Sequence, residues 1–187
     1  MMTVVIVLGI DPGTANTGFG VVRRDGGRLV ALDGGVIRTD AALASERRLA
    51  AIHGRVCQLL DEHAADALAI EDLFFGQNVR TAFAVGQARG VTLLAAGQRG
   101  TGCFSYTPQQ IKGAVCGSGR VAKEQVARMV AVLLALPEPP RSDHAADALA
   151  VAVCHAQQAP MAAAVQRAVL PGHPAARPAP SMTSGAP

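Results

Sequence analysis

The chain has 187 residues, half of them hydrophobic, which is enough for one domain with a sizeable core. Its formal net charge of +3 is too small to argue for a nucleic-acid partner, and only 3% of it is aromatic, so the core must be built of Ala, Val and Leu. No apolar run reaches membrane-spanning length, and the N-terminus lacks a charged n-region with a cleavage site, so a cytoplasmic protein with no membrane partner is expected. Cys57, Cys103, Cys116 and Cys154 are far apart with no CxxC pair, and read as reduced core thiols, not a zinc site or disulfide frame.

The charge is unevenly spread. Residues 1–75 hold seven Arg and ten acids, a balance of −3. Residues 76–136 hold five Arg, two Lys and one acid, a balance of +6. Such a division suits a protein that holds cations with one part and grips phosphates with another; an ordinary solvated surface would look the same.

In chain order, Val4 to Ile10 is a continuous apolar run and reads as a strand buried on both faces. It ends in Asp11, followed by the glycine turn Pro12-Gly13-Thr14. An acid at the C-terminal edge of a core strand occupies the usual ligand position of open α/β sheets. Burying it is costly unless a cation meets it, or unless it bonds the amides of Gly13 and Thr14. Phe19–Arg24 and Leu29–Arg38 read as two further strands around the hairpin signal Asp25-Gly26-Gly27. Leu43 to about His63 has helical spacing, and Ala67–Ile70 is a short strand reached by that crossover, so it should lie parallel to the first. It too ends in acids, Glu71-Asp72. Beside Asp11, Glu71 would repel it unless a cation lay between them.

Phe74-Phe75 reads either as a wedge or stacking platform for a base, or as cover for the sheet edge or a dimer seam. Asn78–Gln98 reads as a helix, Cys103–Tyr106 as a fifth strand, and Gln109–Val115 as a short helix capped by Thr107-Pro108. The only two lysines, Lys112 and Lys123, flank the loop Cys116–Arg120, with Arg120 inside it. Cations around a glycine loop and a helix start suit a phosphate grip; a tight interhelix turn is the plainer reading. Another helix runs from Lys123 to about Leu136, and Pro137–Pro140 breaks it. The last helix opens at Ser142 or Asp143, placing His144 and Asp147 on one face of its first turn. Polar groups on an otherwise apolar turn need a partner, which points to a joint metal site with Asp11 and Glu71. Residues 159–187 are Ala/Pro-rich and read as a disordered tail behind a domain of residues 1–158.

Three strands, a helix, two more strands and closing helices describe an RNase-H-like α/β arrangement: a five-stranded mixed sheet, three strands antiparallel and then two parallel, flanked by helices. Five segments resemble the RuvC family of bacterial Holliday-junction resolvases. They are Leu8–Gly18, Ala69–Phe75, Val85–Gly90, Tyr106–Lys112 and Asp143–Ala150, in register from about residue 4 to 158. The resemblance implies a homodimeric endonuclease, dependent on Mg²⁺ or Mn²⁺ with two ions per subunit, making paired nicks in four-way DNA junctions beside the RuvA–RuvB branch-migration machine. Carried over by position, Asp11, Glu71, His144 and Asp147 are its catalytic and metal residues. Phe74, Lys112 and Lys123 match its DNA contacts, with Arg120 beside them.

Many members have an acid where this chain has His144, and a basic residue common after the aromatic pair is Gln77 here. An imidazole among carboxylates favours Mn²⁺, so Mn²⁺ is expected to serve at least as well as Mg²⁺. Asp11-Pro-Gly-Thr also resembles the first phosphate motif of actin-like ATPases, but those need two such domains. Two rival functions share much of this pattern: an RNA-processing nuclease of the same fold, and a purely structural junction-binding protein.

Overall fold

Runs of Val, Ile and Leu that bury both faces build a central sheet, and the acids and glycines that end those runs set its rim. The computed structural model describes residues 4–72 and 79–169. Strands β1 (Val4–Asp11), β2 (Asn16–Asp25) and β3 (Arg28–Arg38) form an antiparallel meander. Helix α1 (Ser45–Glu62) crosses over to β4 (Ala67–Glu71), which pairs parallel with β1. Helix α2 (Val79–Arg99) then leads to β5 (Gly102–Tyr106), parallel with β4. Helices α3 (Pro108–Cys116), α4 (Lys123–Leu133) and α5 (Asp143–Val169) complete the chain. The sheet order is β3-β2-β1-β4-β5, the mixed arrangement expected from the sequence.

Alternating residues of the strands feed two cores. Leu8, Ile10, Val21, Leu68 and Ile70 pack under α1 and α2, with Ile52, Val56, Leu59 and Ala95. Val7, Val22, Ala69 and Tyr106 pack under α3, α4 and α5, with Ile111, Val130, Leu149 and Val153. The protein is therefore a three-layer α/β/α sandwich, with α5 buried along one side over β1 and β2.

Helix α5 lies very close to the sheet because glycines remove the intervening side chains. Gly9, Gly20 and Gly34 are cross-strand partners on three adjacent strands. A Cβ at Gly9 would collide with the Ala148 carbonyl, and one at Gly20 would stand 2.7 Å from the Leu149 side chain. A Cβ at Gly18 would collide with the His144 carbonyl. The helix answers with Ala145, Ala146, Ala148, Ala150 and Ala152, all buried.

Two features differ from the sequence reading. Helix α5 continues through residues 159–169, which composition alone assigns to a disordered tail. Pro160 brings no N–H for the Ala156 carbonyl, and Arg24 supplies one instead: its guanidinium donates to Ala156 O at 2.7 Å and to Gln157 O at 3.1 Å. Residues 170–187 lie outside the described residues. The cysteines are all free, but only Cys154 is buried, and Cys103 is exposed on β5.

Candidate active site

The site forms where β1 and β4 end side by side beneath the first turn of α5. Ile10 pairs with Ile70, so the next residues, Asp11 and Glu71, are neighbours at one sheet edge. The start of α5, lowered onto Gly18, brings His144 to Asp11: imidazole Nδ1 and carboxylate Oδ2 are 2.7 Å apart. Asp147, on the next part of that turn, faces Lys123, whose ammonium is 2.8 Å from its Oδ2 and 3.6 Å from Asp143. Glu71, Lys112, Lys123 and Asp147 line one cleft of about 240 Å³ between α5 and helices α3 and α4.

Burial and crowding decide the charge states. Burial raises Asp11 above the usual carboxylate range and the negative charge of Asp147 adds to that, while the contact with His144 opposes it. Glu71 is pushed up to about 7, first by burial and then by the charges of Asp11 and Asp147. For Lys123 burial alone would favour the neutral amine, but its hydrogen bond to Asp147 and the charges of Asp147, Asp143 and Asp11 outweigh it and raise the pKa. The cluster is thus a negative site that draws a cation, and the ammonium of Lys123 stands in it as one. Among the described residues, no three His, Cys, Asp or Glu side chains are gathered closely enough to hold an ion together.

The turn amides, the second partner open to Asp11, are not the ones used. The Gly13 N–H donates to the Thr17 hydroxyl, and buried Thr17 donates in turn to the Gly13 carbonyl, closing the turn by itself.

The sequence and the fold of this chain recur in known proteins. The family model for crossover junction endodeoxyribonuclease RuvC matches residues 7–155. The protein of that name from Pelotomaculum thermopropionicum is 50% identical over 151 residues, covering 81% of this chain and 92% of the relative. The chain belongs to the RuvC family. The solved Thermus thermophilus RuvC in complex with Holliday junction substrate is 41% identical, with a TM-score of 0.81 over 84% of this chain and 96% of that one. The yeast mitochondrial Holliday junction resolvase, at 13% identity and a TM-score of 0.56, shares the fold. The fold is accordingly RNase-H-like, as the order of strands and helices implied.

Within this RuvC-family chain the remaining site residues separate. Lys112 donates to the Val121 carbonyl at 2.9 Å, tying α3 to the loop before α4 while keeping its place at the cleft. Arg120 is exposed in that loop, where its backbone N–H donates to Ser118 Oγ, and its side chain is not among the residues lining the cleft. Phe74 lies outside the described residues. Lys123, the other lysine expected to contact DNA, is half-exposed at the cleft, where it pairs with Asp147 and Asp143.

One residue escaped the sequence reading as part of the site. Arg89 of α2 donates to the Glu71 backbone carbonyl at 2.8 Å, to Asp72 at 3.2 Å and to Ser105 Oγ at 2.6 Å. It fixes the end of β4 and hence the direction in which Glu71 leaves the sheet. The available signal was a lone cation in an otherwise small and apolar stretch, Val85-Gly-Gln-Ala-Arg-Gly90.

Proposed function

We propose that this protein is a Holliday-junction resolvase: a metal-dependent endonuclease that makes paired symmetric nicks in four-way DNA junctions. The observation that carries the reading is the match of the RuvC family model to residues 7–155, supported by Asp11, Glu71 and the His144–Asp147 turn of α5 meeting at one sheet edge.

The donor set fits a hard divalent cation. Three carboxylates and one imidazole offer oxygen and nitrogen ligands suited to Mg²⁺ or Mn²⁺, and the ammonium of Lys123 already occupies part of the negative field. We assign Asp11, Glu71, His144 and Asp147 as catalytic and metal-holding residues, taking two ions per subunit. When bound, the ions supply charge stabilisation at the scissile phosphate and an acidified water as nucleophile. Glu71 must release its proton to take part. The His144 ring, engaged to Asp11 through Nδ1, orients that carboxylate and keeps Nε2 available as a ligand or proton carrier. Lys123 leaves the acids for the substrate phosphate, and Lys112, Arg120 and Phe74 complete the DNA contacts.

Two opposed nicks need two sites related by a twofold axis, hence a homodimer. Its seam is assigned to α2, where Phe83 and Leu94 are 69% and 53% exposed and Gly90 and Gly97 have open space at their Cα atoms. The four recur at spacings of seven, four and three, one stripe of a helix. Family membership supports the RuvA–RuvB machine as partner and the cytoplasm as location. No helix among the described residues is long and apolar enough to cross a membrane.

The test is cleavage of a mobile four-way junction, with linear duplex alongside, in Mg²⁺, Mn²⁺ and EDTA, for the wild type and Glu71→Gln. Paired nicks on the junction alone, lost in EDTA and in the variant, are expected. Tight junction binding without cutting would make the protein a structural binder instead.

A further inference from the structure

Of the assigned DNA contacts, Lys112 and Lys123 line the cleft on one side of the acids, and a strand held in line for attack is positioned better when its backbone is fixed on both sides. Helix α5 forms a ridge at this point. On its β4 side is the cleft of Lys112 and Lys123. On its β3 side is a larger groove of about 480 Å³, running between edge strand β3 and the connection from α4 to α5. Two arginines line that groove, Arg38 and Arg141. Arg38 ends β3 opposite Asn16, at the glycine turn that follows Asp11. Arg141 stands three residues before His144. Both side chains therefore stand at the end of the groove nearest the acids, and both residues are exposed. Among the described residues neither forms an ion pair, whereas the one acid lining the groove, Asp33, is 3.4 Å from His63 and accepts from the Gly34 amide.

We propose that this groove is a second DNA-backbone site, in which Arg38 and Arg141 bind phosphates on the far flank of the scissile one. The occupant is a polyanionic strand because the end of the groove beside the catalytic centre carries two arginines that, among the described residues, form no ion pair, against a single acid, Asp33, held by His63 and the Gly34 amide. Of its remaining walls, Ala31, Val36, Ala145 and Leu149 carry no charge, and Asp33 lies five residues from Arg38 along β3. The strand would then cross the start of α5, gripped by arginines on one side and lysines on the other. The inference rests on the nuclease reading above.

The experiment measures binding of a synthetic four-way DNA junction in EDTA, where nothing is cut, as a function of salt. The proteins are the wild type, Arg38→Ala/Arg141→Ala and Arg38→Lys/Arg141→Lys. Loss of two phosphate contacts per subunit, four per dimer, should weaken binding at least tenfold and lower the log–log salt slope by about 3–4. The lysine pair should restore the slope, and Mn²⁺ binding without DNA should match in all three. A double alanine variant that melts like the wild type yet keeps its affinity and slope within twofold overturns the proposal. If that variant instead changes only its sedimentation, the DNA reading is equally overturned and the groove belongs to a second copy. Failure of the nuclease reading is distinguishable, because the wild type itself would then leave the junction uncut when Mg²⁺ or Mn²⁺ is restored, whether or not it binds.

Discussion

Glu71 and Lys123 set the electrical state of the site before any ion arrives. A carboxyl whose folded pKa lies above its ordinary value favours the folded state when protonated. For Glu71 that contribution is fully present below 4.5 and is lost as pH rises through about 7. Asp11, also raised, acts in the same direction. The metal-free protein should therefore lose melting temperature across that window, and Glu71→Gln should flatten the loss. Saturating Mn²⁺ should reverse it, because ions bind the deprotonated acids. Equal slopes in the wild type and the variant, followed by thermal melting in EDTA, would refute this assignment. Lys123 gives a companion test. Its ammonium competes for Asp147 and Asp143, so Lys123→Met should tighten Mn²⁺ binding without DNA by up to about fivefold, the range of a half-exposed ion pair. The same change should weaken junction binding. Calorimetric titration showing unchanged or weaker Mn²⁺ affinity would mean that the lysine does not compete.

At the scale of elements, the close approach of α5 to β1 and β2 holds the site together. Gly9→Ala would force its new methyl into the Ala148 carbonyl, and overpacking of this kind costs about 1–3 kcal/mol. Gly54→Ala, in the middle of α1 with nothing within 4 Å, should instead gain about 0.5–1 kcal/mol. Opposite shifts in denaturant midpoint for the two variants are expected; a neutral Gly9→Ala would show that α5 can lift without cost. These glycines also mark the limit of what the sequence discloses. The apolar runs and their terminal acids located Asp11 and Glu71, because burial on both faces leaves a plain pattern. Helical spacing put His144 and Asp147 on one turn. Polarity patterns do not record how near two backbones come, so Gly9, Gly18 and Gly20 read as ordinary strand residues. The pairing of Lys123 with Asp147 and Asp143 is not legible, because those acids are distant in sequence. The length of α5 was hidden because the donor that satisfies Ala156 beside Pro160 comes from Arg24 on another element.

Across the whole molecule, the uneven charge seen in the sequence becomes a division of space. The acids of strands β1 and β4 meet the cations of the later helices at a single sheet edge, so the proposed metal and phosphate sites share a border. One such border cuts one strand. In the proposed dimer the second copy meets the stripe of Phe83, Gly90, Leu94 and Gly97 on α2. The same helix carries Arg89, which holds the backbone of Glu71, so the seam and the site are mechanically connected through a single element. Phe83→Glu would place a charge at the N-terminal end of that stripe on each copy, where the proposed seam would have to bury it against apolar surface. The variant should sediment as a monomer while keeping the wild-type melting temperature and Mn²⁺ affinity, since Phe83 belongs to neither core. On a junction held as supercoiled plasmid, it should release single nicks in place of linear product. A variant that remains dimeric and still linearises the plasmid would move the seam off α2, and a monomer that still makes paired nicks would remove the need for a dimer.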